Sequence, residues 1–218
     1  MSWFSDFRTS SIGRKFFMGL TGLFLVTFIA VHLFVNLLSL FSAEAFNAAS
    51  EFMGTNPVVQ VMQYVLAAGF VIHIYTGIRL ELKNRAARPI KYAHNKPGEN
   101  SSFASRNMIY TGLLILAFLV LHLKDFFVKI KFEHGTYGTD YDLLVQVFSN
   151  PMYVGIYVAS FILLGIHLYH GLQSGFQTIG VNHPKYSPLI KAIGLGFCII
   201  VAVGFSSIAL FHFFNSMS

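Results

Sequence analysis

Four histidines lie within long apolar stretches of the sequence, in positions that repeat along the chain. A Thr-Gly-Leu motif, eight further residues and a His-Leu pair occur twice, with His32 and His122 as the histidines. An Asn-Pro pair, fifteen further residues and a His-x-x-x-Gly motif also occur twice, with His73 and His167 as the histidines. An ionisable residue inside a membrane span is costly and by default indicates a functional site. The order of the motifs predicts a helical hairpin that is used twice.

The repeat predicts which histidines face each other. Two copies that run in the same direction are related by an axis along the membrane normal, so equivalent residues lie at equal depth across that axis. This pairs His32 with His122 and His73 with His167. Counting about 1.5 Å per residue from the predicted helix ends places the first pair in the outer half of the membrane and the second in the inner half, about 15 Å apart.

Paired histidines at two depths indicate haem rather than another cofactor. Two neutral imidazoles that face each other in a helical bundle offer both axial nitrogens to haem iron. Zinc or copper would recruit further ligands, and no Asp, Glu or Cys stands at ligand spacing within the spans. The single cysteine, Cys198, excludes haem attachment through C-x-x-C-H and excludes iron–sulfur clusters. We therefore predict two non-covalent haems b with the four histidines as axial ligands to iron.

Three residues close to the histidines bear on this prediction. Gly77 and Gly171 stand one turn after the histidines of the second and fourth stretches. The missing side chain there either admits the edge of a haem ring or allows close helix packing. His170 also follows His167 by about one turn, but it aligns with Thr76 in the repeat. We therefore assign the ligand role to His167.

Membrane-spanning helices must position these residues. The chain of 218 residues is 55% hydrophobic and only 11% charged, whereas soluble domains are about a quarter charged. A helix needs about 20 apolar residues to cross a hydrocarbon core of about 30 Å. The first stretch is longer than a signal-peptide core and lacks an A-x-A-like cleavage site, so we expect it to be retained. The sequence predicts an all-α membrane protein with a single domain of five transmembrane helices, the first four forming the haem-binding bundle, at residues 17–41, 57–80, 107–128, 152–178 and 189–214.

Charged residues predict the orientation, because cytoplasmic connections carry an excess of Lys and Arg. The first-to-second connection carries only acidic charge, and the third-to-fourth connection is mixed, with Asp125 among its acidic residues. The net charge of +6 is then a topology signal and a candidate docking surface, and no motif indicates nucleic-acid binding. The cations that place the N-terminus in the cytoplasm are Arg8, Arg14, Lys15, Arg79, Lys83, Arg85, Arg88, Lys91, Lys96, Arg106, Lys185 and Lys191.

With the histidines placed, the chain resembles the cytochrome b subunit of succinate:quinone oxidoreductases, in the branch with one five-helix anchor and two haems b. The resemblance covers nearly the whole chain and rests on the Ser-Ile-Gly-Arg-Lys sequence at 11–15 together with the repeated motifs. It implies that the four paired histidines are the haem ligands. It also implies that a flavoprotein and an iron–sulfur protein bind the cytoplasmic face and interconvert succinate and fumarate.

The same resemblance implies a place in the respiratory chain and the tricarboxylic acid cycle, in the bacterial cytoplasmic membrane. Electrons would pass between an iron–sulfur cluster, the two haems and a quinone, with menaquinone expected as in the di-haem relatives. The chain itself would carry no dicarboxylate active site, because that site belongs to the flavoprotein.

One position departs from the family pattern. Some fumarate reductases of this family carry a glutamate two residues before the fourth histidine ligand, thought to conduct a compensating proton. This chain has Gly165 there. We therefore doubt that proton pathway and expect succinate oxidation.

Polar residues near the predicted haems are further candidates. Three residues near the outer haem are candidates for quinone contact or proton exchange: Asn36, Glu44 and Glu51. The alternative for each is an ordinary solvated or interfacial polar residue. Three cations are candidates for charge-assisted bonds to the propionates of the inner haem: Arg14, Lys15 and Arg79. The alternative is that they only anchor helix ends at the lipid headgroups.

Two other functions fit the same pattern. One is the di-haem cytochrome b subunit of a hydrogenase or formate dehydrogenase, which would bind a nickel or molybdenum subunit in place of the flavoprotein. The other is a small non-redox transporter built on the parallel repeat, which would hold no haem.

Overall fold

The structure is a computed structural model, and it describes residues 10–87, 106–133, 135–181 and 183–218. Within these residues the regular structure is helical and no strand is present, which confirms the predicted all-α class for this part of the chain. Four cations used in the orientation argument lie outside it: Arg8, Arg88, Lys91 and Lys96. The elements are α1 (Ser11–Leu37), a 3-10 turn (Leu38–Leu40), α2 (Ala43–Thr55), α3 (Pro57–Ala86), α4 (Met108–His122), a π-helical turn (Leu123–Val128), α5 (Lys129–Phe132), α6 (Asp140–Phe148), α7 (Pro151–Thr178) and α8 (Ser187–Ser216).

Four of these helices are long and apolar enough to cross a membrane. They are α1 with its 3-10 turn, over Ile12–Leu40, and the whole of α3, α7 and α8. The third predicted stretch is not among these four helices. Its α-helix, α4, ends at His122, but the helical backbone continues through the π-helical turn and α5 as far as Phe132. Apolar residues recur through this segment and give the helix a face to bury. Asp125 therefore lies in a helix, as the predicted stretch 107–128 implies, and its assignment to the third-to-fourth connection in the orientation argument was wrong.

The Asn-Pro pairs start two of the long helices. The side-chain oxygens of Asn56 and Asn150 each accept from the backbone N–H groups two and three residues later. Pro57 and Pro151 occupy the first helical position, where a missing N–H costs nothing and φ is already suitable. Each pair therefore marks the N-terminus of a helix.

The helices that carry the repeated motifs form a ring. α1 contacts α3 and α7, and α4 contacts the same two helices. α1 and α4 therefore lie on one diagonal of the ring, and α3 and α7 lie on the other. α8 packs against α7 and α1 outside it. α1 and α7 approach closely at two glycines, since a side chain added at Gly19 would lie 3.5 Å from the Gly175 Cα atom.

Two short helices cover one end of the ring, which we call the outer end. α2 lies in the first-to-second connection and α6 in the third-to-fourth. Phe46 of α2 and Leu143 of α6 are buried in the main hydrophobic cluster with residues of α7 and α8. The Tyr141 backbone N–H also donates to the Asn47 side chain at 3.0 Å. Both segments were predicted as connections, and neither helix was expected from the sequence. The opposite end of the ring is called the inner end.

Candidate haem-binding site

The outer pair of histidines meets between α1 and α4. The ring centroids of His32 and His122 are 5.8 Å apart and the ring planes are at 85°. Phe28 stacks on His32 with centroids 5.3 Å apart. Phe118 and Phe126 lie 5.8 Å and 5.3 Å from His122. Aromatic side chains therefore line the outer pair and leave little room for water.

The inner pair meets between α3 and α7. The ring centroids of His73 and His167 are 6.5 Å apart and the planes are at 72°. Each ring lies against a glycine of the neighbouring motif helix. A side chain added at Gly22 would lie 3.3 Å from His73 Cε1, and one added at Gly112 would lie 3.4 Å from His167 Cε1. These two glycines thus let the helix backbone pass close beside the rings.

These contacts also give the distance between the two layers. Gly22 marks the level of His73 on α1, and His32 lies ten residues further along the same helix. The same ten-residue step separates Gly112 from His122 on α4. At about 1.5 Å per residue, the two histidine layers are about 15 Å apart. This agrees with the separation expected from the helix ends.

The geometry of both pairs fits two ligands on one iron. Metal–imidazole bonds of about 2 Å, with about 1 Å from each nitrogen to its ring centre, require centroids about 6 Å apart. The observed 5.8 Å and 6.5 Å are close to this value. Within the described ranges, no group of three or more His, Cys, Asp or Glu side chains could hold a metal ion. The buried Nδ1 of His122 has no hydrogen-bond partner among the described residues.

The glycines and cations proposed around the inner layer lie toward the inner end. A side chain added at Gly77 would lie 3.3 Å from the Met18 methyl carbon, and one added at Gly171 would lie 3.7 Å from that of Met108. Both glycines thus serve close packing against equivalent methionines, and their contact with haem stays a prediction. Of the three candidate cations, Arg14 is partly buried and two are exposed, Lys15 and Arg79.

The quinone candidates separate into one residue near the histidines and two at the surface. The Asn36 side-chain nitrogen donates to the His32 carbonyl oxygen at 2.8 Å and lies 3.4 Å from His32 Nδ1. Glu44 and Glu51 are exposed on α2. The Ser42 hydroxyl donates to the Glu44 carboxylate at 2.7 Å and lowers the pKa of Glu44 below its ordinary value. Only Asn36 touches a proposed ligand.

The remaining intramembrane histidines belong to neither ring pair. His170 is partly buried on α7. His212, near the outer end of α8, is only 1% exposed and its Nε2 lies 3.1 Å from the Ser39 hydroxyl. Its ring also packs edge-on against Tyr141 with centroids 5.3 Å apart. His212 therefore ties α8 to the helices that cover the outer end.

A buried polar pair beside the outer histidines was missed from the sequence. Asp125 is 4% exposed in the π-helical turn, three residues after His122. The hydroxyl of Tyr157, which is 1% exposed, donates to Asp125 Oδ2 at 3.0 Å. The Tyr157 ring lies 6.1 Å from that of His122. The available signal was Asp125 itself, a carboxylate inside the predicted stretch 107–128 and three residues after His122, which the expectation of no Asp at ligand spacing overlooked. The structure adds that it lies in a π-helical turn, and such turns often mark functional sites.

Comparisons with known proteins bear on this site. No family model matches the chain, and no significantly similar solved structure was found. The chain is 25% identical over 189 residues to the succinate dehydrogenase cytochrome b558 subunit of Bacillus subtilis (strain 168). The aligned region covers 84% of this chain and 85% of that protein. This relative is the kind of subunit that the repeated motifs resemble, so the resemblance is confirmed.

Proposed function

We propose that this chain is the membrane cytochrome b subunit of a succinate:menaquinone oxidoreductase, which holds two haems b and anchors a flavoprotein and an iron–sulfur protein. The observation that carries the proposal is the meeting of four histidines in two facing pairs across the diagonals of one helical ring. The Bacillus subtilis relative is named as a subunit of succinate dehydrogenase. That name favours this function over a hydrogenase or formate dehydrogenase subunit.

Each part of the site has a task in this proposal. His32 and His122 hold the outer haem, and His73 and His167 hold the inner one. Bound haem supplies a one-electron carrier. The phenylalanines around the outer pair exclude water, and the glycines beside the inner pair bring the backbone close enough to restrict the rings. Because these groups sit on packed helices, the ligands need little rearrangement when iron changes its oxidation state.

The charge distribution supports an N-terminus in the cytoplasm of a bacterial cell. The inner end carries the start of α1 and the end of α3, with Arg14, Lys83 and Arg85. The outer end carries acidic residues of α2 and α6, balanced in part by lysines of α5. An excess of cations marks the cytoplasmic side. We further propose that residues 108–132 form a fifth span, since 25 helical residues extend about 37 Å.

The surroundings of Gly165 support succinate oxidation as the direction. Gly165 lies at the contact between α7 and α8, where a side chain would lie 3.1 Å from the Ala202 Cβ atom and 3.4 Å from the Cys198 carbonyl oxygen. A glutamate would not fit there without moving α8. The chain therefore lacks both the carboxylate of some fumarate reductases and the space for it.

The candidate polar residues keep their proposed roles at the two layers. Asn36, which contacts His32, is the strongest candidate for a quinone contact near the outer haem. The other two quinone candidates, Glu44 and Glu51, would exchange protons with solvent at the outer surface. The proposed partners of the inner haem's propionates are Arg14, Lys15 and Arg79.

Purification of the complex from its native membrane tests this function. We expect a flavoprotein and an iron–sulfur protein to co-purify with the chain, two haems b per chain by pyridine haemochrome, and reduction of a menaquinone analogue by succinate. A nickel or molybdenum subunit in place of the flavoprotein would establish the alternative enzyme. A colourless preparation with an intact chain would refute haem binding and favour the transporter.

A further inference from the structure

The threonine of the repeated Thr-Gly-Leu motif lies against the inner histidines in both halves of the chain. Thr21 Oγ1 on α1 is 3.4 Å from His73 Nδ1 on α3. Thr111 Oγ1 on α4 is 3.2 Å from His167 Nδ1 on α7. The glycine that follows each threonine packs against the Cε1 atom of the same ring. The two halves thus present the same pair of contacts to the same edge of an imidazole.

The remaining hydrogen bonds of the threonines determine which atom donates. A threonine hydroxyl has one proton and two lone pairs. Thr21 donates that proton to its own helix, to the Phe17 carbonyl oxygen at 2.9 Å or the Met18 carbonyl oxygen at 3.2 Å. Thr111 donates to the Met108 carbonyl oxygen at 3.0 Å. With its proton engaged, each hydroxyl oxygen is an acceptor for the histidine.

This arrangement selects one tautomer of each inner histidine. A neutral imidazole carries its proton on one nitrogen, and a hydrogen bond at that nitrogen leaves the other with a free lone pair. An acceptor at Nδ1 holds the proton there. The Nε2 lone pairs of His73 and His167 are then free to bind a metal, and their rings are held in a fixed orientation.

Among the described residues, no threonine makes this contact with an outer histidine. The Asn36 amide nitrogen, a donor, lies 3.4 Å from His32 Nδ1. The buried Nδ1 of His122 has no hydrogen-bond partner. Threonine acceptors therefore distinguish the inner pair from the outer pair, although the motif that supplies them lies on the same two helices, α1 and α4, that carry the outer histidines.

We propose that Thr21 and Thr111 are positioning residues of the inner haem, which accept a hydrogen bond from Nδ1–H of His73 and His167 and so set the tautomer, orientation and donor strength of both axial ligands. This inference rests on the proposed function. An acceptor at Nδ1–H increases the electron density that the imidazole donates to the metal and so stabilises oxidised iron. Removing it shifts the inner haem toward the reduced state.

The test is a redox titration of both haems in the purified complex. The variants Thr21→Val and Thr111→Val remove the hydroxyl and keep the shape of the side chain. We expect each to raise the reduced-to-oxidised ratio of the inner haem about three- to tenfold at a fixed potential, an upward shift of about 30–60 mV for a one-electron couple. The potential of the outer haem should not change.

Two controls separate the hydrogen bond from packing. Thr21→Ser and Thr111→Ser keep the hydroxyl and should retain the wild-type potential. Thr27→Val removes a hydroxyl from the exposed face of α1, where it donates to the Leu23 carbonyl oxygen at 3.2 Å, and should have no effect.

The outcomes distinguish this inference from the proposed function. If the valine variants hold both haems and the inner potential does not move, the inference is wrong and the function stands. If the valine variants lose the inner haem, the serine variants decide between the hydroxyl and packing. Serine variants that retain the inner haem at its wild-type potential support the role of the hydroxyl. Loss of the inner haem from both serine variants overturns the inference. A wild-type complex without haem refutes the proposed function itself.

Discussion

The buried pair of Tyr157 and Asp125 provides a quantitative test of how the outer layer is held together. Tyr157→Phe removes the hydroxyl that donates to Asp125 Oδ2 at 3.0 Å, while the ring keeps its place among its aromatic neighbours. The Asp125 carboxylate, which is 4% exposed, is then left buried without this donor. Leaving a buried polar group unsatisfied costs about 1–3 kcal/mol, and more if it is charged.

This cost predicts a measurable loss of thermal stability. For a chain of about 200 residues, 1 kcal/mol corresponds to about 2–4 °C in Tm. We therefore expect Tyr157→Phe to lower the Tm of the detergent-solubilised complex by about 2–12 °C, measured by far-UV circular dichroism. The matched control is Tyr64→Phe, because Tyr64 is 72% exposed and its hydroxyl does not lie in the core.

A double variant separates the lost hydrogen bond from lost packing. In Tyr157→Phe combined with Asp125→Leu, both polar groups are replaced by apolar groups of similar shape, which is often nearly neutral. The double variant should therefore be more stable than Tyr157→Phe alone. If each substitution lowers the Tm and the two losses simply add in the double variant, the Asp125 carboxylate does not depend on the Tyr157 hydroxyl and the predicted coupling is wrong.

Three further predictions follow from other parts of the molecule. His167→Ala should remove the inner haem and His170→Ala should keep both, measured by pyridine haemochrome; loss of the inner haem in His170→Ala would show that the wrong histidine of α7 was assigned. Gly165→Leu should lower stability by about 1–3 kcal/mol through overpacking against α8, whereas Gly155→Leu, where a side chain meets nothing within 4 Å, should not; equal thermal midpoints for the two variants would contradict the packing argument. The backbone N–H and the hydroxyl of Thr139 donate to the Asp142 carboxylate and hold the pKa of Asp142 below its ordinary value. The stability that this carboxylate contributes is therefore present above the unfolded-state pKa of about 4 and is lost as pH falls through the folded-state pKa. Thermal stability should therefore decline more steeply on acidification in wild type than in Asp142→Asn, and parallel declines would exclude this contribution.

The elements that sequence predicted best are those with a strong local signal. Asn56 and Asn150 each precede a proline and a long apolar run, so capping and proline geometry define the helix start without help from the rest of the fold. The ring pairs were predicted from repetition, because equivalent residues of a duplicated hairpin must lie at equal depth. In both cases the residues concerned are close in sequence or equivalent by repeat.

The elements that sequence did not predict depend on distant contacts. α2 and α6 are short, and their apolar residues are explained only by the cluster they share with α7 and α8. Asp125 was counted with the charges of the third-to-fourth connection, and its partner Tyr157 lies 32 residues away in sequence. The contacts of Thr21 and Thr111 with the histidines of α3 and α7 also required the tertiary arrangement.

The sequence alone determined that the chain is helical, apolar enough for a membrane, and duplicated around four histidines, because composition and periodicity are local properties that survive without coordinates. Only the tertiary structure decided which atoms surround each ring. The side of an imidazole that meets a threonine, an amide or an apolar wall depends on how neighbouring helices rotate and cross. That rotation results from the packing of many side chains from distant parts of the chain, and no single motif encodes it.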